Sequence, residues 1–288
     1  MILLVKGDMY DYLPLMESES VSFVFSDLPY GTTQQSWDSA FDMNQFWSEI
    51  NRVCLKNAAV CATADDKFAG LLQQSNPNFR YKWYWEKNTA TGHLNAKHQP
   101  MLNVEEIHVF YQKRPNYSPI MTLNHKPMSS FVRKPNTSEL YGNQKGGKNR
   151  RAKATTRYPQ RVLRINAVRN DHPDKIHPNQ KPVELISYLL KTYLNPDGFV
   201  LDPTAGSFTS VEAALQLGLD AIGIELDQNP NNPQLVQRAF ERLSRDYPLE
   251  DIRLIESTDD FYYALSTRDD PLINIEKTVD GGDYGATT

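Results

Sequence analysis

The sequence predicts an α/β fold: a doubly wound, mostly parallel sheet with helices on both faces. Short apolar runs alternate with segments of helical spacing along most of the 288 residues, which is the pattern of βαβ units. Two of the apolar runs end in turn-forming residues beside an acid. Open α/β sheets bind their ligands at the carboxyl ends of strands, so we expect a site at that edge.

Each predicted strand is a short apolar or aromatic run, and each predicted helix shows apolar residues at helical spacing. The predicted strands cover residues 2–6, 21–26, 58–62, 80–85, 107–111, 199–201 and 221–224. The predicted helices cover residues 10–15, 43–53, 68–72, 182–193, 211–217 and 233–245.

The composition is that of a globular protein, with 40% hydrophobic and 23% charged residues. No apolar run approaches the ~20 residues that span a bilayer, and no signal peptide is recognisable, so we expect a cytoplasmic protein. Cys54 and Cys61 lie in apolar surroundings and predict free thiols. His172 and His177 lie near acids, but a proline directly follows each, and we predict no metal site.

The charge is distributed unevenly, although the net charge is only −4. Residues 113–169 hold 14 Lys or Arg and one acid, Glu139. This segment is rich in Pro and Gly and has no regular period, which predicts a long nucleic-acid-binding loop rather than a merely solvated one. A second exposed loop is predicted at Asn88–Lys97. The candidate DNA-binding residues are Lys97, Arg133, Lys134, Lys145, Lys148, Arg150, Arg151, Arg157 and Arg161.

The stretch Ser26-Asp27-Leu28-Pro29-Tyr30-Gly31 follows a predicted buried strand. If the substrate is an amino group on a planar base, the Asp27 carboxylate can accept one N–H and a backbone carbonyl can accept the second. Tyr30 then offers a face for stacking. The alternative is a strand-end turn with an acidic cap.

The second junction is Asp202-Pro203-Thr204-Ala205-Gly206-Ser207, between a predicted strand and helix. Small residues let a cofactor approach the backbone, and a helix N-terminus presents free N–H groups. Glu225 lies 23 residues after Asp202, at the end of the next predicted strand. An acid there is placed to bind ribose hydroxyls, so a nucleotide cofactor is predicted.

Together these motifs resemble the DNA methyltransferases that modify exocyclic amino groups (the N4/N6 family) in the circularly permuted, β-type motif order. Asp27-Leu28-Pro29-Tyr30 stands where the site-specific adenine branch has Asp-Pro-Pro-Tyr. His177-Pro178-Asn179-Gln180-Lys181-Pro182 resembles the entry to the cofactor-binding half. Asp202 to Ser207 resembles the glycine motif for S-adenosylmethionine, and four further stretches, among them Trp85-Glu86-Lys87, look familial.

The resemblance implies a seven-stranded sheet, a basic target-recognition insertion, and double-stranded DNA whose target base is flipped into the pocket. It covers roughly residues 1–245 and implies a catalytic half at 1–112, the insertion at 113–170 and a cofactor-binding half at 171–245. The charge balance separately indicates an acidic extension at 246–288, whose glycine-rich end we expect to be disordered. Pro29 belongs to the implied catalytic motif with Asp27, Leu28 and Tyr30. The implied cofactor-binding residues are Asp8 near the adenine, Lys181 at the methionine carboxylate, Glu225 at the ribose, and Asp202, Thr204, Gly206 and Ser207 in the turn.

Three departures from the family pattern stand out. Leu28 replaces a proline, but the role there belongs to a main-chain carbonyl. Thr204 replaces an aromatic residue, and Phe208 replaces a glycine, so that its ring either narrows the cofactor cleft or packs beneath the helix.

Three functions therefore remain open. They are methylation of adenine N6 in DNA, methylation of cytosine N4, and DNA binding without catalysis. The acid at position 27 favours adenine, since the cytosine branch more often has serine there. The sequence also leaves open a homodimer and a cognate restriction endonuclease as partner.

Overall fold

A computed structural model describes residues 1–29, 41–140, 142–148, 151–195 and 198–267. The chain divides into two compact units, one of residues 1–117 with 162 onward and one of Ser118–Arg161. The described strands, in chain order, are β1 (Ile2–Lys6), β2 (Val21–Ser26), β3 (Cys54–Ala64), β4 (Phe79–Thr91), β5 (Leu102–Phe110), β6 (Val132–Arg133), β7 (Asn136–Ser138), β8 (Gly142–Gln144), β9 (Gly147–Lys148), β10 (Val162–Arg164), β11 (Phe199–Asp202), β12 (Ala221–Glu225) and β13 (Ile252–Ile255). The helices are α1 (Met9–Tyr12), α2 (Met43–Val53), α3 (Asp66–Ser75), α4 (Val183–Tyr193), α5 (Thr209–Gln216), α6 (Leu235–Asp246) and α7 (Thr258–Ser266).

The larger unit contains one sheet, in the order β10-β4-β5-β3-β2-β11-β12-β1-β13. Every neighbouring pair is parallel except the two that β5 makes, with β3 and with β4. The predicted mostly parallel sheet is therefore confirmed. The predicted number of seven strands is wrong, because nine described strands join this sheet. The two extra strands, β10 and β13, are the short strands at its edges.

The core consists of two apolar clusters, one on each face of the sheet. Strand β2 is buried along its whole length and contributes Val24 to one cluster and Phe25 to the other. Burial on both faces is the expected pattern for a central parallel strand. Helices α1, α2, α3 and α7 pack in the first cluster, and α4, α5 and α6 pack in the second. The doubly wound arrangement is thereby confirmed.

The helix boundaries follow from capping and from one buried face. Asp42 precedes α2 and accepts hydrogen bonds from the N–H groups of Asn44 and Gln45, as an N-cap residue does. Helix α4 begins directly after Pro182, which has no N–H to leave unpaired. The chain therefore enters α4 from an extended segment that carries Lys181.

Strands β4 and β5 form a longer hairpin than predicted. Residues 88–101 are exposed as expected, but Asn88–Thr91 continue β4 and a 3-10 turn covers His93–Asn95. The predicted loop there is thus partly wrong. Its polar residues are compatible with a hairpin end that extends beyond the core, where no apolar alternation is needed.

The smaller unit is a basic loop region built around a β-hairpin. Strand β6 pairs with β9 and β7 pairs with β8, both antiparallel, and a bridge joins Thr122 to Arg157. The prediction of no regular structure is wrong for these residues. A Cβ on Gly146 would lie 2.7 Å from the Arg133 carbonyl oxygen, so a glycine is needed where the hairpin strands come close.

Residues 246–267 are an integral part of the larger unit. Strand β13 pairs with β1, and the Phe261 ring in α7 contacts Tyr12 edge-on at 5.2 Å between centroids. Strand β13 thus completes one edge of the sheet, and the end of the acidic segment, after residue 267, lies outside the described residues. None of the described helices has the length and apolar character needed to cross a membrane.

Candidate active site

Four neighbouring parallel strands end at the site. Strands β2, β11, β12 and β1 lie side by side, so their carboxyl ends meet at one edge of the sheet. Asp27 follows β2, Asp202 ends β11, Glu225 ends β12, and Asp8 follows β1 after one glycine. The four acids picked out in the sequence are therefore brought to the same edge.

A direct contact joins the predicted catalytic motif to the predicted cofactor turn. The Ser26 and Thr204 hydroxyl oxygens are 2.8 Å apart and share a hydrogen bond. Ser26 precedes Asp27, and Thr204 lies two residues before Gly206. The residue that departs from the family pattern at position 204 thus uses its hydroxyl group to link the two motifs.

The Asp202 side chain holds the turn in place through hydrogen bonds. This side chain is buried, with 3% of the residue exposed. One carboxylate oxygen accepts the Thr204 N–H at 3.1 Å, and the other accepts the Ser210 hydroxyl of α5. Burial raises the Asp202 pKa to about 7, against the lowering effect of these two hydrogen bonds. The residue therefore fixes the turn onto the start of α5.

Gly206 provides the open part of the turn. Its φ is +51°, a left-handed conformation that glycine adopts at little cost, and an added Cβ would meet nothing within 4 Å. Its N–H donates to Glu225 at 2.8 Å. Burial raises the Glu225 pKa, while the N–H groups of Gly206 and Asp227 oppose the rise.

Asp8 lies beside Glu225 at the same edge. Gly7, which directly precedes Asp8, donates its N–H to the main-chain carbonyl of Glu225 at 2.9 Å. The Asp8 side chain accepts the Tyr10 N–H at 2.9 Å and thereby caps α1. The open glycine turn with acids beside it fits a nucleoside-containing cofactor such as S-adenosylmethionine.

Phe208 lies in the core rather than over the turn. It is fully buried, and a Cβ placed on Gly223 would lie 2.8 Å from its ring. Of the two positions considered from the sequence, the ring takes the one beneath the helix. A phenylalanine at this position therefore leaves the cofactor cleft open.

Asp27 is held by two partners that come from distant parts of the chain. The Thr63 hydroxyl of β3 donates to one carboxylate oxygen. The Lys181 ammonium lies 2.8 Å from the other. Leu28 is buried in the core, so its side chain anchors the motif, and Tyr30 lies outside the described residues.

Lys181 also contacts Glu105, with its Nζ 3.2 Å from Oε2. Glu105 in turn pairs with Lys87 at 2.7 Å. Burial lowers the Lys181 pKa, but the Asp27 and Glu105 carboxylates outweigh burial and raise the pKa above its ordinary value. Lys181 is thus a permanent cation between two carboxylates. Its predicted contact with the methionine carboxylate stays a prediction.

Sequence reasoning missed Thr63 and Glu105. Both become neighbours of the motif only through the pairing of β3 with β2 and with the antiparallel β5. No local spacing signal marks either residue, and Glu105 is followed by a second glutamate that looks the same in sequence. Lys87 was noted only as part of a familial stretch.

Arginines of α6 hold the segment that leads to Lys181. Arg242 donates to the Ser207 carbonyl at 3.0 Å and pairs with Glu212 at 2.9 Å. Arg238 donates to the Ile176 carbonyl, and Arg245 pairs with Asp174. The cofactor turn and the segment before α4 are therefore fixed to the same helix.

His177 lies close enough to Asp27 for the carboxylate charge to affect the pKa of its imidazole. Burial lowers the His177 pKa, against the raising effect of Asp27. Its Nδ1 accepts the Asn179 N–H at 3.2 Å, which leaves the proton of the neutral ring on Nε2. Over the described ranges no group of three or more His, Cys, Asp or Glu side chains could hold a metal ion.

In the smaller unit, two of the predicted DNA-binding arginines make hydrogen bonds to other residues of the same unit. Arg157 donates to the carbonyls of Ala154, Thr156 and Lys126. Arg151 donates to Thr156 and lies over the Tyr158 ring at 4.6 Å. Arg150 and the Lys148 side chain lie outside the described residues. The exposed candidates are Lys97 in the larger unit and Arg133, Lys134, Lys145 and Arg161 in the smaller one.

Comparison with known proteins decides the family. The model of the N6/N4 methyltransferase family, described as DNA methylase, matches residues 21–231. The chain belongs to this family. S-adenosylmethionine-dependent methylation of DNA is the chemistry of these N6/N4 DNA methylases, so the predicted family and cofactor are confirmed.

Individual relatives are distant. The DNA adenine methyltransferase YhdJ of Escherichia coli (strain K12) is 22% identical over 256 residues, which cover 83% of this chain and 82% of YhdJ. The M1.HpyAVI structure in complex with SAM has a TM-score of 0.55 and 18% identity, and the match covers 84% of this chain and 100% of that one. The cytosine-N4-specific PvuII DNA methyltransferase has a TM-score of 0.56 and 15% identity, with 90% of each chain covered. At such identities the two structures show a shared fold only.

Proposed function

We propose that this N6/N4 DNA methylase transfers a methyl group from S-adenosylmethionine to the exocyclic N6 amino group of adenine at a specific site in DNA. The hydrogen bond between Ser26 and Thr204 carries the proposal, because it places the acidic motif directly beside the glycine turn. The acid at position 27 favours adenine over cytosine within this family. Double-stranded DNA is the proposed partner.

The chain's own part in the reaction is to orient the amino group. The Asp27 carboxylate accepts one N–H and the Leu28 carbonyl accepts the other, so that the nitrogen lone pair is drawn out of conjugation with the ring. Tyr30 stacks on the flipped base, with Pro29 stiffening the motif between them. Thr63 and Lys181 fix the carboxylate before the base arrives, and such preorganisation is the main source of rate in a direct transfer.

The glycine turn and its neighbours are the proposed cofactor residues. Gly206 and Ser207 would lie against the cofactor, Glu225 would bind the ribose hydroxyls, and Asp8 would lie near the adenine. Asp202 and Thr204 keep the turn in shape. Lys181, whose ammonium has three N–H donors, would meet the methionine carboxylate. When bound, S-adenosylmethionine supplies the electrophilic methyl group.

The smaller unit is the proposed DNA-binding region. Its residues, 118–161, include ten Lys or Arg and one acid. Such an excess of positive charge provides phosphate contacts, which position a protein on DNA without specifying the sequence. The target base is then turned out of the duplex, since its amino group is engaged in pairing.

The product of the reaction tests the proposal. DNA is incubated with the protein and labelled S-adenosylmethionine and then digested to nucleosides. We expect N6-methyladenine with wild type and almost none with Asp27→Ala. N4-methylcytosine would move the assignment to the cytosine branch. No product, together with salt-sensitive DNA binding and no cofactor binding by calorimetry, would indicate a DNA-binding protein without catalysis.

A further inference from the structure

Four charged side chains form a line that ends on Asp27. Lys87 Nζ is 2.7 Å from Glu105 Oε1, Lys181 Nζ is 3.2 Å from Glu105 Oε2, and Lys181 Nζ is 2.8 Å from Asp27 Oδ2. The charges alternate along the line. The side chains of Lys87, Glu105 and Lys181 are only 8%, 15% and 9% exposed.

Glu105 is the link shared by the two lysines. A buried ammonium is costly unless a carboxylate compensates it. Glu105 Oε1 accepts a hydrogen bond from Lys87 and Oε2 forms the ion pair with Lys181, so turning the carboxylate would break a contact. Lys181 is therefore held between two fixed points, Glu105 on β5 and Asp27 after β2.

The next residue on β5 provides an internal comparison. Glu106 pairs with Lys82 at 2.8 Å and with His108. Successive residues of a strand point to opposite faces of the sheet, so this second cluster lies on the other face from Glu105. Two adjacent glutamates thus have the same chemistry and similar exposure, but only Glu105 reaches the line to Asp27.

We propose that Glu105 is a positioning residue of the reaction, which acts on Asp27 through Lys181. It keeps the Lys181 ammonium at a fixed place, and the ammonium together with the Thr63 hydroxyl fixes the plane of the Asp27 carboxylate. Glu105 contacts neither the base nor the cofactor. This role rests on the proposed function, in which Asp27 receives the amino group.

The expected effect is on the rate rather than on binding. Without the Glu105 charge, Lys181 keeps its contact with Asp27 but loses its second fixed contact, so the ammonium can swing sideways and turn the Asp27 carboxylate out of the orientation that the amino group needs. A displacement of about 1 Å in such a site costs up to about 100-fold in rate. DNA affinity does not depend on this buried line.

The test compares Glu105→Gln with the matched control Glu106→Gln in steady-state methylation of DNA. We expect Glu105→Gln to lower kcat by about 10- to 100-fold and to leave the KM for DNA within about threefold. Glu106→Gln should keep the wild-type kcat. Equal kcat values for the two variants, with both folded by circular dichroism, would overturn the role.

Two double variants separate positioning from simple charge balance. If Glu105 acts through Lys181, adding Glu105→Gln to Lys181→Met causes no further loss of kcat. Losses that multiply would show independent effects and overturn the proposal. Lys87→Met combined with Glu105→Gln restores neutrality along the line but not the anchor. Its kcat should stay low, and recovery to the wild-type value would also overturn the proposal.

The same assay distinguishes this inference from the proposed function. If wild type forms no N6-methyladenine, the proposed function fails and the role of Glu105 with it. If wild type forms N6-methyladenine and Glu105→Gln does so equally fast, only the role of Glu105 fails.

Discussion

Phe208 has a left-handed backbone, with φ at +58°, directly before α5. The family motif that this turn resembles has glycine there, which reaches this conformation without a side-chain penalty. The chain accommodates the ring because Gly223 on the adjacent strand leaves room for it. Phe208 and Gly223 look unrelated in sequence but pack against each other. A single sequence cannot show such a pairing.

The variant Gly223→Ala tests the packing of Phe208 against Gly223. The new Cβ would lie 2.7 Å from Val211 and 2.8 Å from the Phe208 ring, so the core must shift. We expect a loss of about 1–3 kcal/mol in the free energy of unfolding, measured by urea denaturation. In a Phe208→Ala background the same change should cost less. An equal cost in both backgrounds would contradict the packing.

Asp202 predicts a pH dependence of stability. Its carboxyl pKa is raised from 3.8 to about 7 because burial disfavours the charged form. The folded state therefore binds the proton more tightly than the unfolded state, and the stability that the protonated form contributes is lost as pH rises between these two values. The Asp202→Asn variant keeps a neutral amide that can accept the Thr204 N–H.

We expect the unfolding free energy of wild type to fall relative to that of Asp202→Asn as pH rises from about 4 to about 7. The difference should then stay constant at higher pH. Urea titrations of both proteins across this range measure it. A difference that does not change with pH would mean that Asp202 titrates near its ordinary value.

At the scale of elements, the seven strands predicted from the sequence are all present, and so are the helices with strong apolar periodicity. The start of helix α4 was predicted to within one residue, at Pro182 instead of Val183. Proline at a helix start is a strong local signal, which explains this accuracy. The edge strands β10 and β13 were missed. An edge strand pairs on one side only and is partly exposed, so it lacks the continuous apolar run that identified the central strands.

Helix α6 links stability to cofactor binding. Arg242→Met removes the donor to the Ser207 carbonyl and leaves Glu212 without its cation. We expect weaker S-adenosylmethionine binding, by about tenfold or ~1.4 kcal/mol, in calorimetry. We also expect lower stability, by about 3 kcal/mol, since a nearly buried charge is left unpaired.

Adding Glu212→Gln to Arg242→Met separates the two effects. It removes the unpaired charge and should restore part of the stability without restoring cofactor affinity. If affinity returned together with stability, the hydrogen bond to Ser207 would have no role of its own.

At the scale of the whole molecule, the sequence located one half of the site well. Acids at the ends of parallel strands are placed by the fold itself, and for this reason Asp27, Asp202 and Glu225 could be predicted to meet. The residues that orient Asp27 could not be predicted. Thr63 and Glu105 reach it across strand pairings that join distant segments, one of them antiparallel, and no spacing rule in the sequence encodes such a meeting.

The charge asymmetry of the molecule predicts salt-dependent DNA binding by residues 118–161. Each phosphate contact lowers the slope of log K against log salt by about 0.9. Lys134→Ala with Lys145→Ala, both exposed in the hairpin, should weaken binding to all sequences and reduce the slope by up to about 2. Lys191→Ala, an exposed lysine in α4, serves as the control. An unchanged slope in the double variant would place the DNA elsewhere.

The single site formed by Asp27 and the glycine turn is tested most directly by the Asp27→Asn variant in single-turnover methylation. Asparagine keeps the size of the side chain and loses the charge that accepts the amino N–H and pairs with Lys181. We expect the methyl-transfer rate to fall by about 100- to 1,000-fold, while S-adenosylmethionine affinity by calorimetry stays close to that of wild type. An unchanged rate in Asp27→Asn would contradict the assignment of this carboxylate to the reacting amino group.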